Sequence, residues 1–356
     1  PVYYNQECNV IYPPTMRPTK ILILDTYYAD FVRQVYRHQA SLASQPYTMQ
    51  LAEFMKLHFG TGDSYSYYLN QLGYTTIDVI ADSWPLQQQW AKEHQLTVRR
   101  WPHLPLLGQY TDRLPLYKIL EAQIKEFQPD VLYCQNLTFC DPLFLNKLKK
   151  KVKLIVGQIA CPLPPTAFLK PFDLILTSFP HFVPRLQGLG IASEYFKIGF
   201  EERLLPLMAG QTEKETEKKY DVVFIGGFSK VHQASRAALE QLATVVPVDV
   251  WGYGIESLPV HSPLRQRYHG EAWALEMYRI ISQAKICINR HSSASEQYAN
   301  NMRLYETTGL GTLLVTDQKD NLADLFAVGQ EVVSYSSAAE LTERVQYYLA
   351  HDSERQ

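Results

Sequence analysis

Asn300, Arg303 and Glu306 are spaced three apart within residues 300–317, NNMRLYETTGLGTLLVTD. On a helix that spacing sets an amide, a guanidinium and a carboxylate along one face. Such a stripe is expensive to bury unless a polar partner meets it. A nucleotide sugar is one such partner: the guanidinium meets the diphosphate and the carboxylate accepts from the ribose hydroxyls. An exposed helix with an internal Arg–Glu pair explains the same spacing without a ligand. Gly309 and Gly311 end the helix, and 312–316 reads as the strand that follows, with Asp317 at its tip.

Other polar groups cluster where strands give way to loops. Gly226 and Gly227, followed by Phe228, close the apolar run at 221–225. Glycines there let backbone amides approach a phosphate, and a plain tight turn uses them equally well. Neither G-x-G-x-x-G nor G-x-x-x-x-G-K occurs, so dinucleotide and P-loop binding are not indicated. Trp251-Gly252-Tyr253-Gly254 and Tyr268-His269-Gly270 combine aromatic rings with glycines. They suit a nucleobase by stacking and backbone hydrogen bonds, or serve as core aromatics. Asn289-Arg290-His291 ends another strand, with His291 able to reach sugar or phosphate. In the first half, Asp63 in the loop Gly60-Thr61-Gly62-Asp63-Ser64 is either the N-cap of a helix at 64–72 or a general base. Asp25, at the tip of the first strand, is the second candidate base. Asn136, Gln158, Ser178 and His181 cap further strands on the side expected to hold an acceptor.

The elements that position these residues alternate. Apolar runs at 20–24, 76–81, 131–135, 154–158 and 174–177 are separated by amphipathic stretches such as 48–59, 64–72 and 116–127. The run QTEKETEKK, 211–219, has nothing apolar to bury and reads as an exposed connection. Strands at 221–225, 246–251, 285–289 and 312–316 follow, with helices at 235–243 and 272–283. The pattern predicts an α/β protein of two doubly wound domains, with ligands beyond the carboxyl ends of the strands. The expected boundaries are 1–205 for the first domain, 206–219 for the linker and 220–356 for the second.

Composition narrows the classes. The 356 residues are 46% hydrophobic and 20% charged, which suits a soluble chain of about two domains. A net charge of −2 implies no broad basic surface for nucleic acid. No apolar run approaches the roughly 20 residues of a membrane helix, and no signal peptide opens the chain. Five cysteines, Cys8, Cys134, Cys140, Cys161 and Cys287, are odd in number and contain no C-x-x-C, so reduced thiols and a cytoplasmic location are expected. The absence of D-x-D, H-E-x-x-H and zinc-type spacing points to chemistry without a metal or other cofactor.

The 300–317 segment resembles the sugar-nucleotide motif of GT-B glycosyltransferases. It is most similar to the spore-maturation-protein (CgeB)-like branch of the group 1 glycosyl transferases, which carries N-x-R-x-x-E-x-x-G, matched here by Asn300, Arg303, Glu306 and Gly309. The resemblance continues through 320–335 and 347–356, and more weakly through 47–74 and 172–190. It implies two facing Rossmann-like domains. The second would bind a nucleoside-diphosphate sugar; the first would present an acceptor (protein, glycan, lipid or small molecule). It also implies that the Gly226–Gly227 loop faces the donor, that the Gly252 and Gly270 loops border the base, and that Asp63 lies where inverting members hold a base. The chain departs from the retaining-type E-x7-E pattern: Tyr298 stands eight residues before Glu306, and the nearest acid is Glu296. Stereochemistry is thus left open. The chain begins at Pro1 and stops just after a helix, so the C-terminal helix that crosses back to the first domain in this fold is expected to be missing. A sugar-nucleotide epimerase of the same fold and a non-catalytic two-domain binding protein are the alternatives.

Overall fold

A computed structural model describes residues 17–99, 108–209, 218–228 and 233–356. Cys8 and the segment 210–217 of the expected linker lie outside the described residues.

Two all-parallel sheets organise the chain. The first contains β1 (Lys20–Asp25), β2 (Thr75–Ile80), β3 (Val131–Cys134), β4 (Leu154–Ile159), β5 (Leu174–Thr177) and β6 (Ser193–Tyr195) in the order β2-β1-β3-β4-β5-β6. The second contains β7 (Tyr220–Ile225), β8 (Asp249–Trp251), β9 (Ala284–Asn289), β10 (Leu313–Asp317) and β11 (Val333–Tyr335) in the order β11-β10-β9-β7-β8. Strand for strand the two orders run alike. Each chain path starts in the middle, steps one way to its second strand, and then reverses past the first. That reversal is a topological switch point, between β1 and β3 and again between β7 and β9.

The near-continuous apolar strands follow from burial on both faces. In β7, Val222 and Phe224 pack into one core with Ile286 and Ile288 of β9, while Val223 and Ile225 pack on the opposite face with Cys287. In the first sheet, Leu22 and Leu24 pack with Leu132 and Ile155. Phe54, Ile80 and Ile119 form the core on the other side.

Several boundaries differ from the sequence reading. The helix Gly108–Phe127 begins earlier than expected despite Pro115, and strand β8 begins at Asp249 rather than 246. The three-residue strands β6 and β11 were not anticipated. Most consequentially, the helix after β9 is Met302–Gly309 with Asn301 as N-cap. Asn300 precedes it, at φ 150°, and so does not share a helical face with Arg303 and Glu306. Gly309 is the last helical residue, and the left-handed turn falls on Gly311 at φ 68°.

The domains touch through specific polar contacts. Asn300 Nδ2, fully buried, donates to Ser178 O at 3.0 Å and Tyr195 Oη at 3.1 Å, both from the first domain. Arg185 makes a two-pronged pair with Glu296 at 2.7 and 2.9 Å. Tyr278 Oη donates to His58 O at 3.2 Å. Among the described residues no helix is long and apolar enough to cross a membrane.

Candidate active site

The two switch points open onto one cleft. A cavity of about 820 Å³ is walled by Asp25, Gln135 and Asn136 from the first and by Gly226, Gly227, Asn289 and Arg290 from the second. Arg303 and Glu306 close it from the helix Met302–Gly309, whose N-terminal residues Asn301 and Met302 also reach the wall. The fold rule that places ligands beyond the carboxyl ends of strands at a switch point is met from both sides.

Arg303 and Glu306 lie one helical turn apart with Arg303 Nη1 2.8 Å from Glu306 Oε2, both side chains at most 15% exposed. Tyr278 Oη sits 3.4 Å from the other Glu306 oxygen. The Arg–Glu pair that explains the spacing without a ligand therefore exists, and it lies in the cleft rather than on an outer surface. Arg290 is buried over the Phe224 and Phe228 rings, 5.0 and 5.5 Å away, and donates to Gly227 O at 2.7 Å. Burial pulls its guanidinium down to about 10, so an anion arriving nearby would be favoured. Asn289 donates to Thr316 Oγ1 at 2.9 Å and accepts from the Asn301 amide at 2.9 Å, tying two strand tips to the helix start.

A β-carbon at Gly227 would stand 2.4 Å from Cζ of Tyr253, so a larger residue there would push that ring aside. Gly252, at φ 138°, would place one 2.0 Å from Gly226 O. These two loops thus interlock, and Phe228 N donates to Tyr253 O at 2.9 Å. Phe228 is core, and Gly252, Tyr253, His269 and Gly270 do not wall the cleft cavity. His269 stacks on Trp251 at 4.5 Å and bonds Asp249 at 2.6 Å, which occupies it at the sheet edge. The cavity instead presents Trp273 and Met277, a helical turn apart, which the sequence reading had passed over. Their i, i+4 spacing was the available signal.

His291 lies in a second cavity, of about 740 Å³, which shares Gly60, Thr61, Gln158, Arg290, Met302 and Glu306 with the first. Its Nδ1 is 2.7 Å from Asp317 Oδ1, and its backbone N–H donates to the same oxygen at 3.0 Å. Burial raises the Asp317 carboxyl, but the His291 contacts and Lys319 outweigh this and hold it below its ordinary value. Asn300 also lines this cavity, although its amide is engaged by the first domain.

The two candidate bases separate. Asp63 walls neither cavity, and its carboxylate pairs with Arg203 Nη2 at 2.7 Å. Nor does its side chain cap the helix Ser64–Gln71. Asp25 lines the cleft, and burial, with Asp82 and Asp78 nearby, pushes it up to about 7 against the bond from Thr26 N. Of the strand-capping residues, Asn136 and Gln158 face the cleft and Ser178 the second cavity. His181 instead bonds Ala294 O at 3.1 Å and stacks on Tyr298 at 5.0 Å. Among the described residues no group of three or more His, Cys, Asp or Glu is arranged to hold a metal ion.

Comparison with known proteins accords with this geometry. Residues 232–356 match the family model described as glycosyl transferase-like. Comparison with curated proteins gives no match. Anabaena HepE in complex with UDP-glucose superposes with a TM-score of 0.57 at 13% identity over 94% of this chain and 91% of that one. Sucrose-phosphate synthase from Thermosynechococcus elongatus gives 0.56 at 11% identity over 95% and 91%. A glycosyltransferase from Rickettsia africae gives 0.53 at 13% over 96% and 91%. The chain thus has the GT-B fold, and with residues 232–356 matching the glycosyl transferase-like family it is similar to glycosyltransferases in both fold and C-terminal domain.

Proposed function

We propose that the chain is a glycosyltransferase that takes its sugar from a nucleoside-diphosphate donor seated in the cleft against the C-terminal domain, and passes it to a hydroxyl presented by the first domain. The observation that carries this is the buried Arg303–Glu306 pair standing where two switch points face each other. Glu306 accepts from the ribose hydroxyls. Arg303, Arg290 and the N-terminal end of the helix Met302–Gly309 meet the diphosphate. The UDP-glucose held by HepE makes a uridine diphosphate the first donor to try.

Asp25 is the carboxyl that the first domain contributes to this cavity. With a pKa near 7 it is matched to general-base work at neutral pH. The acceptor oxygen attacks the anomeric carbon, its proton goes to Asp25, and the bond to the diphosphate breaks with the electron pair leaving on the diphosphate. Direct attack inverts the anomeric configuration. The growing charge on the leaving group is met by the arginines and helix end, so no metal is required.

A thermal-shift panel of UDP, GDP, ADP and their glucose conjugates, run with and without EDTA, tests the donor. One nucleotide should raise the melting temperature in both conditions. No response to any nucleotide would remove the donor reading, and a response abolished by EDTA would remove metal independence.

A further inference from the structure

The 740 Å³ cavity presents a more apolar wall than the 820 Å³ cavity beside it. Tyr65, Tyr133, Phe179, Phe196, Ile198 and Leu69 supply much of its wall, and its charged groups are Arg290, Glu201 and Glu306. Even the tyrosine hydroxyls are turned into the wall: Tyr65 Oη donates to Gln158 Oε1 at 3.0 Å and Tyr133 Oη to the same oxygen at 2.5 Å. The two carboxylates on the wall are matched, Glu201 by Arg203 at 2.7 Å and Glu306 by Arg303 at 2.8 Å. A sugar, which offers hydroxyls all round, finds few partners on such a surface and would desolvate many of its own.

Resting on the donor reading above, we propose that the acceptor is an alcohol with an apolar, ring-bearing body that fills this cavity. Its reacting hydroxyl lies at the edge shared with the donor cavity, where Gly60, Thr61 and Gln158 line both. The volume suits a molecule of drug-like size.

Calorimetry on the full chain, with and without saturating UDP, tests this using 7-hydroxycoumarin and 2-naphthol against glucose and maltose. Both phenols should bind at least about tenfold tighter than either sugar. Phe196→Ala and Ile198→Ala should each weaken them by about tenfold, the loss expected for a buried apolar side chain, with UDP affinity unchanged. Binding of UDP but of neither phenol, or sugars binding as tightly as the phenols, overturns the proposal. Phenol binding lost on Phe196→Ala, in a chain that responds to no nucleoside diphosphate, upholds the cavity's ligand class and overturns only the donor reading.

Discussion

Arg203 Nη2 stands 2.7 Å from Asp63 Oδ1 and equally 2.7 Å from Glu201 Oε2, so one guanidinium gathers two carboxylates at the joint between the domains. The Arg203 guanidinium also lies 4.0 Å over the Tyr67 ring. Asp63 is therefore a structural anion. Asp63→Asn should leave turnover within about threefold of the parent and cost no more than about 1 kcal/mol, because the pair is partly exposed and screened. Turnover and urea denaturation measured together check this; a hundredfold loss of turnover with intact stability would return Asp63 to the chemistry.

Asp25 should behave in the opposite way. Its folded pKa of about 7 lies above its ordinary 3.8, as do those of Asp78, about 7, and Asp82, about 6. Burial is the leading cause for all three. Between the ordinary and the raised values the folded chain binds more protons than the unfolded one. Stability therefore falls as pH rises from about 4 to about 7, the linkage sign for carboxyls raised by folding. Asp25→Asn should flatten that slope and raise stability at pH 7 by about 1–3 kcal/mol. It should also lower the rate by about 10²–10⁴-fold. In the parent protein, the kcat/KM of the proposed transfer should climb with pH and level off above about 7. Denaturation midpoints and a rate profile over pH 4–9 supply both readings; a flat rate profile would remove Asp25 as base.

Glu306→Gln and Arg303→Ala should each weaken nucleoside-diphosphate binding at least tenfold, since a hydrogen bond to a charged group is worth about 1.5–3 kcal/mol. Arg303→Ala also leaves a buried carboxylate without its cation, so its melting temperature should fall while that of Glu306→Gln moves less. Unchanged affinity in both variants, measured by calorimetry, would sink the donor assignment.

Gly309 is fixed by its neighbour across the domain boundary: a β-carbon there would stand 2.3 Å from Cγ of Phe200. Gly309→Ala should cost about 1–3 kcal/mol, the usual range for overpacking. Adding Phe200→Leu should recover part of that cost, a coupling that a double-mutant cycle reads directly. Additive costs would show that the ring is not the obstacle.

The α/β alternation was legible because strands such as KILILD in β1 and YDVVFI in β7 are buried on both faces and therefore apolar throughout. Strands β6 and β11 escaped because three residues at a sheet edge carry no periodicity. Gly226, Gly227 and Arg290, which follow strand tips, and Asn289, the last residue of β9, were legible as neighbours because parallel strands end on one side of the sheet, where they line one cavity. The fate of Asp63 was not, since its partner Arg203 is 140 residues away in sequence. His291 and Asp317 lie just beyond and at the ends of neighbouring parallel strands, with Asn289 opposite Thr316. Their meeting followed from a strand order that one sequence does not display.

Asn300 carries a consequence for how substrates enter. Its amide bonds Ser178 and Tyr195 across the domain boundary, and its carbonyl accepts from Tyr305 Oη at 2.8 Å. Parting the domains strips that buried amide of both cross-boundary acceptors at once, and only water can replace them. The side chain thus stands as a latch: any opening of the cleft would have to break both bonds together and hydrate the amide.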